Sequence, residues 1–217
     1  MKNVALIVAG GKGIRMNSAI PKQFLKLKNL PILMHTLNNF QDFNDVFLVL
    51  PKSQFNYWKK LCKIHNFQVK HTLIAGGINR FESVKNGLKK INAGDVVAIH
   101  DGVRPYISKK LITALLSEVK NNYGTIPVLP IKESLREITN KYSVAVNREK
   151  IYLVQTPQCF KLQEIKKAYD GQNFLKEFTD DASVYEQYGG RIKTINGEEK
   201  NIKITSKTDL IIAESLE

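Results

Sequence analysis

Residues 4–22 read VALIVAGGKGIRMNSAIPK, and this stretch decides the architecture. Five consecutive apolar residues, 4–8, stop abruptly at Ala9-Gly10-Gly11-Lys12-Gly13. A short uninterrupted apolar run predicts a strand buried on both faces. A glycine-rich turn beyond its carboxyl end is either a plain tight turn or a cradle whose backbone N–H groups meet phosphate oxygens. Arg15 and Lys22 add two cations just downstream, which favours the cradle.

Outward from this stretch, strand and helix patterns alternate. Apolar β-rich runs fall at 46–50, 68–74, 96–99 and 125–129. Helical patterns lie near 31–40, 54–64, 80–91 and 109–121, with Ser108 as an N-cap for the last. This alternation predicts an α/β chain, a mostly parallel sheet with helices on both faces. Ligands then sit beyond the carboxyl ends of the strands, which selects loops 9–15, 75–80 and 100–105. From 131 to 152 polar and apolar residues mix, as in Ile131-Lys132-Glu133-Ser134-Leu135-Arg136-Glu137. That segment predicts a projecting β-arm, marginal alone and needing something to pack on. Helical patterns return at 161–169 and 180–188, followed by a strand near 201–204. Ser206 and Asp209 give the last helix a capping-box start. Without repeats or linkers, residues 1–217 read as one domain carrying the arm.

The 217 residues hold 33 basic and 20 acidic side chains, a net charge of +13. Such a balance suits anionic partners. Only six of the cations are arginine, and the lysines are spread evenly as a solvated background. Arg15, Arg80, Arg104 and Arg148, in loop-like or motif-like contexts, carry more information, because arginine is the better bidentate phosphate ligand. Cys62 and Cys159 have no motif spacing and read as packing residues. No run is long enough to cross a membrane, and the chain starts directly in a strand, so a cytoplasmic protein is expected.

Two common glycine loops are excluded. Met16 stands where a dinucleotide G-x-G-x-x-G/A loop needs a small residue, and G-x-x-x-x-G-K-[ST] is absent. The motif Gly10-Gly11-Lys12-Gly13-Ile14-Arg15-Met16 followed by Pro21-Lys22-Gln23-Phe24 instead resembles the opening of the sugar-phosphate and polyol-phosphate cytidylyltransferases. Within that group it is most similar to the 2-C-methyl-D-erythritol 4-phosphate cytidylyltransferase family of the non-mevalonate isoprenoid pathway. Further matches keep the family order: Ala75-Gly76-Gly77 with Arg80 and Ser83, His100-Asp101-Gly102-Val103-Arg104-Pro105, Thr156-Pro157-Gln158, Thr179-Asp180-Asp181-Ala182-Ser183 and Asn201-Ile202-Lys203-Ile204-Thr205.

The resemblance implies a single Rossmann-like nucleotidyltransferase domain that transfers CMP from CTP to a polyol phosphate and releases pyrophosphate. A phosphate nucleophile is already anionic, so the chemistry demands positioning, cations and a metal, not a strong base. By resemblance, Arg15 and Lys22 stabilise the transition state at the α-phosphate. Ala9, Gly10, Gly11 and Gly13 hold the nucleotide, with Gly77, Arg80, Ser83 and Gly102. Asp101 ends an apolar strand, where a carboxylate can take Mg2+, directly or through water. In the family this Asp and Arg104 also contact the acceptor. Arg148 and Lys203 grip the acceptor phosphate, Arg148 from an arm that reaches the other subunit of a homodimer. Ser134 and Thr156 match hydroxyl contacts to the acceptor. His100 is expected to be a packed neighbour, and Asp180 and Asp181 to be N-capping residues in preference to a metal pair. One departure is Ile78, where the family usually has an acidic residue; backbone contacts from that loop survive it. A ribitol 5-phosphate cytidylyltransferase is the near alternative. A basic nucleic-acid-binding module has only the net charge in its favour, so nucleic acid and membrane are not expected partners.

Overall fold

The computed structural model describes residues 1–10, 20–175 and 177–216. Strands β1 (Asn3–Val8), β2 (Lys26–Leu27), β3 (Leu30–Pro31), β4 (Asp45–Leu50), β5 (Thr72–Ala75), β6 (Val96–Asp101) and β7 (Tyr123–Pro130) are followed by β8 (Leu135–Ile138), β9 (Ser143–Val146), β10 (Tyr152–Val154), β11 (Gln158–Lys161) and β12 (Arg191–Asn196). Helices α1 (Ile32–Asn38), α2 (Phe55–Ile64), α3 (Arg80–Lys90), α4 (Lys109–Glu118), α5 (Leu162–Asp170), α6 (Asp181–Gln187) and α7 (Lys207–Ser215) fill the connections.

The main sheet runs β10-β7-β11-β6-β1-β4-β5, with β12 also paired to β7. β1 lies parallel between β4 and β6, and β5 is parallel to β4. Neighbouring residues of β1 serve opposite faces, as the pleat requires. Ala5 and Ile7 join Leu37, Trp58 and Leu115 of α1, α2 and α4 on one side. Val4, Leu6 and Val8 join Val84, Ile165 and Val184 of α3, α5 and α6 on the other. Burial on both faces is why the strand has no polar alternation. Gly87 of α3 lets the helix lie close, since a Cβ there would come within 2.6 Å of Leu6 Cδ1.

Ser108 accepts from the Leu111 N–H, and Ser206 and Asp209 form the expected capping box. The strand expected at 68–74 is confined to Thr72–Ala75. No strand forms at 201–204. That segment is pinned one group at a time: the Ile204 N–H donates to Val103 O, and the buried Asn201 donates to Thr156 O. The last strand of the sheet is instead β12, parallel to β7. Residues 131–152 do carry a hairpin, β8 against β9, whose residues are exposed or half-buried.

A 3-10 turn at Lys22–Phe24 lies beside the carboxyl end of β1, where Gln23 reaches Ala9 O. Phe24 is buried and stacks on the buried Trp58 ring at 6.1 Å. Trp58 Nε1–H donates to His71 Nε2 at 2.8 Å, so α2 braces the turn from behind. Among the described residues, no helix is long and apolar enough to cross a membrane.

Candidate active site

The carboxyl end of β6 places Asp101 beside three cations. Lys203 Nζ lies 2.8 Å from Asp101 Oδ2, Arg104 Nε 3.5 Å from the same oxygen, and Arg80 Nε 3.6 Å from Oδ1. Burial alone would raise the pKa of this carboxyl. The charges of Arg80, Lys203 and Arg104 outweigh burial and hold it well below the usual carboxylate range. Asp101 is therefore an anion at every working pH, and the cluster keeps a surplus of positive charge.

Beneath it sits a neutral relay of hydrogen bonds. The Asp101 N–H donates to Thr156 Oγ1 at 3.0 Å, and Thr156 Oγ1 lies 3.0 Å from His100 Nδ1. His100 Nε2 is 3.1 Å from Arg104 O, which can only accept. His100 thus carries its proton on Nε2, and Thr156 donates to Nδ1. Burial lowers the His100 pKa to about 4, so the ring stays neutral. It is a packed brace, as expected, with Phe40 4.9 Å away.

Two cavities meet at this cluster. The larger, about 720 Å³, is lined by Ala9, Gly10, Lys22, Gly77, Arg80 and Ser83, together with Asp101 and Lys203. The smaller, about 240 Å³, is lined by Arg104 and Thr156 and shares Arg80, Asp101 and Lys203 with the first. A groove of about 840 Å³ opens elsewhere, against the starts of β4 and β5. It contains none of these clustered charges and lies at the wrong ends of the parallel strands for a ligand of this fold.

Local sequence explains the walls. Asn79 caps α3, accepting from the Glu82 N–H, which brings Arg80 to the helix start. Ser83 Oγ accepts from the Gly77 N–H at 3.0 Å and donates to Asn79 O at 2.8 Å, tying the loop shut. Gly77 is required there because a Cβ would meet Glu82 Cβ at 2.2 Å. Ile78 is 95% exposed at the rim, so the position carries no side-chain polarity into the cleft.

Gly102 is buried differently. Its N–H donates to Val8 O and its carbonyl accepts from Thr36 Oγ1, so it fastens the ends of β1 and β6 together. Ser134 and Arg148 are exposed on the arm and line neither cavity, and the Arg148 guanidinium donates to Lys132 O. Gly11, Gly13 and Arg15 lie outside the described residues.

Three contributors escaped the sequence reading. Gln23 is buried and donates to Ala9 O at 3.0 Å and to Gln54 Oε1 at 2.8 Å, setting the carbonyl at the floor of the cleft. Its place in the Pro21-Lys22-Gln23-Phe24 motif was the available signal. Asp180 does cap α6, reciprocally with Ser183. Asp181, expected to share that role, instead takes a forked ion pair from Arg80, at 2.8 and 2.7 Å. Tyr169 OH donates to the same carboxylate at 2.7 Å.

A mostly parallel sheet with a cation-ringed carboxylate where its central strands end suits an α/β enzyme that gathers phosphates, the class to which nucleotidyltransferases belong. Comparison with known proteins narrows the class. The chain belongs to the 2-C-methyl-D-erythritol 4-phosphate cytidylyltransferase family, whose profile matches residues 3–216. It is 46% identical over 219 residues to the enzyme of that name from Bacteroides fragilis, covering all of both chains. It is 48% identical to that of Azobacteroides pseudotrichonymphae, covering 97% of this chain and 96% of the other. Among solved structures, 4-diphosphocytidyl-2C-methyl-D-erythritol synthase from Anaerococcus prevotii superposes with a TM-score of 0.82 at 27% identity, covering 98% and 94% of the two chains. The cytidylyltransferase from Thermus thermophilus gives 0.81 at 28%, covering 99% and 98%.

Proposed function

We propose that this chain transfers CMP from CTP to 2-C-methyl-D-erythritol 4-phosphate in isoprenoid precursor synthesis. The observation that carries the reading is the sharing of Arg80, Asp101 and Lys203 by two adjoining cavities. The larger takes CTP and the smaller the acceptor. A phosphate oxygen of the acceptor attacks the α-phosphorus, a new P–O bond forms, and the α–β bridging bond breaks to release pyrophosphate. Several anions must meet at one point, so the chief contribution of the protein is fixed positive charge and orientation.

In this reading the family resemblance assigns Lys22 and Arg15 to the α-phosphate, and residues 9–13, Gly77 and Ser83 to the rest of the nucleotide. Gly102 supports that loop by joining β1 to β6. Arg104, Thr156 and Lys203 orient the acceptor. Asp101 is the only acidic residue among the described ones lining the larger cavity. No cluster of three or more His, Cys, Asp or Glu side chains that could cage a metal occurs among the described residues. The chain therefore fits a Mg2+ carried in largely by the nucleotide phosphates, with Asp101 facing it. Bound there, Mg2+ supplies neutralisation of phosphate charge.

Ser134 and Arg148 complete the acceptor site only from another copy, so the reading includes a homodimer joined through the arm. The exposed Ile138, Tyr142 and Val144 on that arm suit such a contact. Cytoplasmic location is part of the proposal, and two free thiols suit a reducing compartment.

Pyrophosphate release from CTP and Mg2+, with methylerythritol 4-phosphate or ribitol 5-phosphate as acceptor, tests the reading. Faster turnover with ribitol 5-phosphate would replace it with the alternative.

A further inference from the structure

Asp181 lies 0% exposed at the start of α6, yet its charge is committed toward the substrate cavities. Both terminal nitrogens of Arg80 are forked onto its two oxygens. Tyr169, itself buried, closes one of those oxygens from behind. Gln158 fixes the backbone beneath, accepting from the N–H groups of Asp181 and Ala182 at 3.0 and 2.9 Å. With its fork occupied, Arg80 is left with Nε turned to Asp101 and its charge at the seam of the two cavities.

A guanidinium free to swing would fork a phosphate in a bidentate clamp. This one cannot do so without abandoning a buried carboxylate, which is costly. We infer that Asp181, backed by Tyr169, is a positioning residue that locks Arg80 as an immobile cation between the nucleotide and acceptor phosphates. The inference rests on the proposed cytidylyl transfer and deepens it. Arg80 contributes a preset field at the point where both anions converge, and Asp181 sets its place. A shift of about 1 Å in such a group costs on the order of 10²-fold in rate.

The test separates positioning from simple structural support. Asp181→Asn is expected to lower kcat by roughly 10- to 100-fold with both substrates saturating. Arg80→Gln strands the buried Asp181 charge and should lose both turnover and thermal midpoint. In the double variant Arg80→Gln with Asp181→Asn, the midpoint recovers because no buried charge is unpaired, while turnover stays at the level of Arg80→Gln alone. Recovery of turnover together with the midpoint overturns the inference, as does wild-type kcat in folded Asp181→Asn. Should Asp181→Asn not fold, Tyr169→Phe carries the test: a fall in kcat present with Arg80 and absent in Arg80→Gln supports the inference, and an equal fall in both overturns it. Wild-type kinetics in Arg80→Gln would instead remove Arg80 from the site, and the inference with it.

Discussion

The carboxyl end of β6 and the β8–β9 hairpin are assigned to the same reaction, yet they are opposite kinds of structure. At β6, Asp101, Thr156 and His100 are buried and hydrogen-bonded in series. On the hairpin and its flanks, Ser134 and Arg148 stand in solvent. In the first region the described groups meet within one chain. The second presents groups that line neither cavity of their own chain. Nucleotide handling is therefore expected to be set inside a protomer, and acceptor handling to depend on a second copy.

The sharpest way to break this contrast is Lys22→Ala. Lys22 lines the larger cavity, on the turn braced by Phe24 and Trp58. Its loss should lower kcat by roughly 10²-fold or more, the scale of one transition-state contact. Steady-state turnover within a fewfold of wild type would remove the role.

Next in size is a stability effect confined to the buried region. Folded His100 has a pKa of about 4 against an ordinary 6.5. Between those values the unfolded chain binds a proton that the folded chain excludes. Stability should fall as pH drops from 6.5 to 4, by about 3 kcal/mol at most from this group. Urea unfolding across that range, compared with His100→Gln, isolates the contribution; an unchanged slope in the variant refutes it.

Arg148→Ala should raise the acceptor KM about tenfold, one charge-assisted hydrogen bond, and leave CTP affinity alone. Assayed at acceptor well below KM, a mixture of Lys22→Ala and Arg148→Ala chains should restore about a quarter of wild-type turnover, since half of random two-fold dimers then hold one intact site. No restoration would mean that Arg148 serves its own protomer. The smallest effect is expected for Lys132→Ala. Lys132 pairs with Glu199 in full solvent, so thermal midpoint and kinetics should both stay at wild-type values.

Legibility in the sequence follows the same division of physical types. β1 and β6 could be read because burial on both faces forces an unbroken apolar run, and the loops beyond them carry dense motifs. β10, β11 and β12 are short or partly polar, and their pairing is decided by the neighbouring β7. Residues 201–204 look like a strand because Ile202 and Ile204 alternate with polar residues. Those isoleucines instead pack into a small core with Leu27, Val103 and Ala213. The Asp180 cap was legible because capping is local. Asp181 was misjudged because its partner Arg80 is 101 residues away, and no spacing encodes such a contact.

Trp58 is the only tryptophan in the chain. One side of its ring lies against Phe24, next to Lys22, and its indole N–H is held by His71. Any ligand that shifts the Lys22 turn must therefore disturb the sole indole chromophore. The protein thus carries its own optical gauge of occupancy in the larger cavity, readable by intrinsic emission without a label.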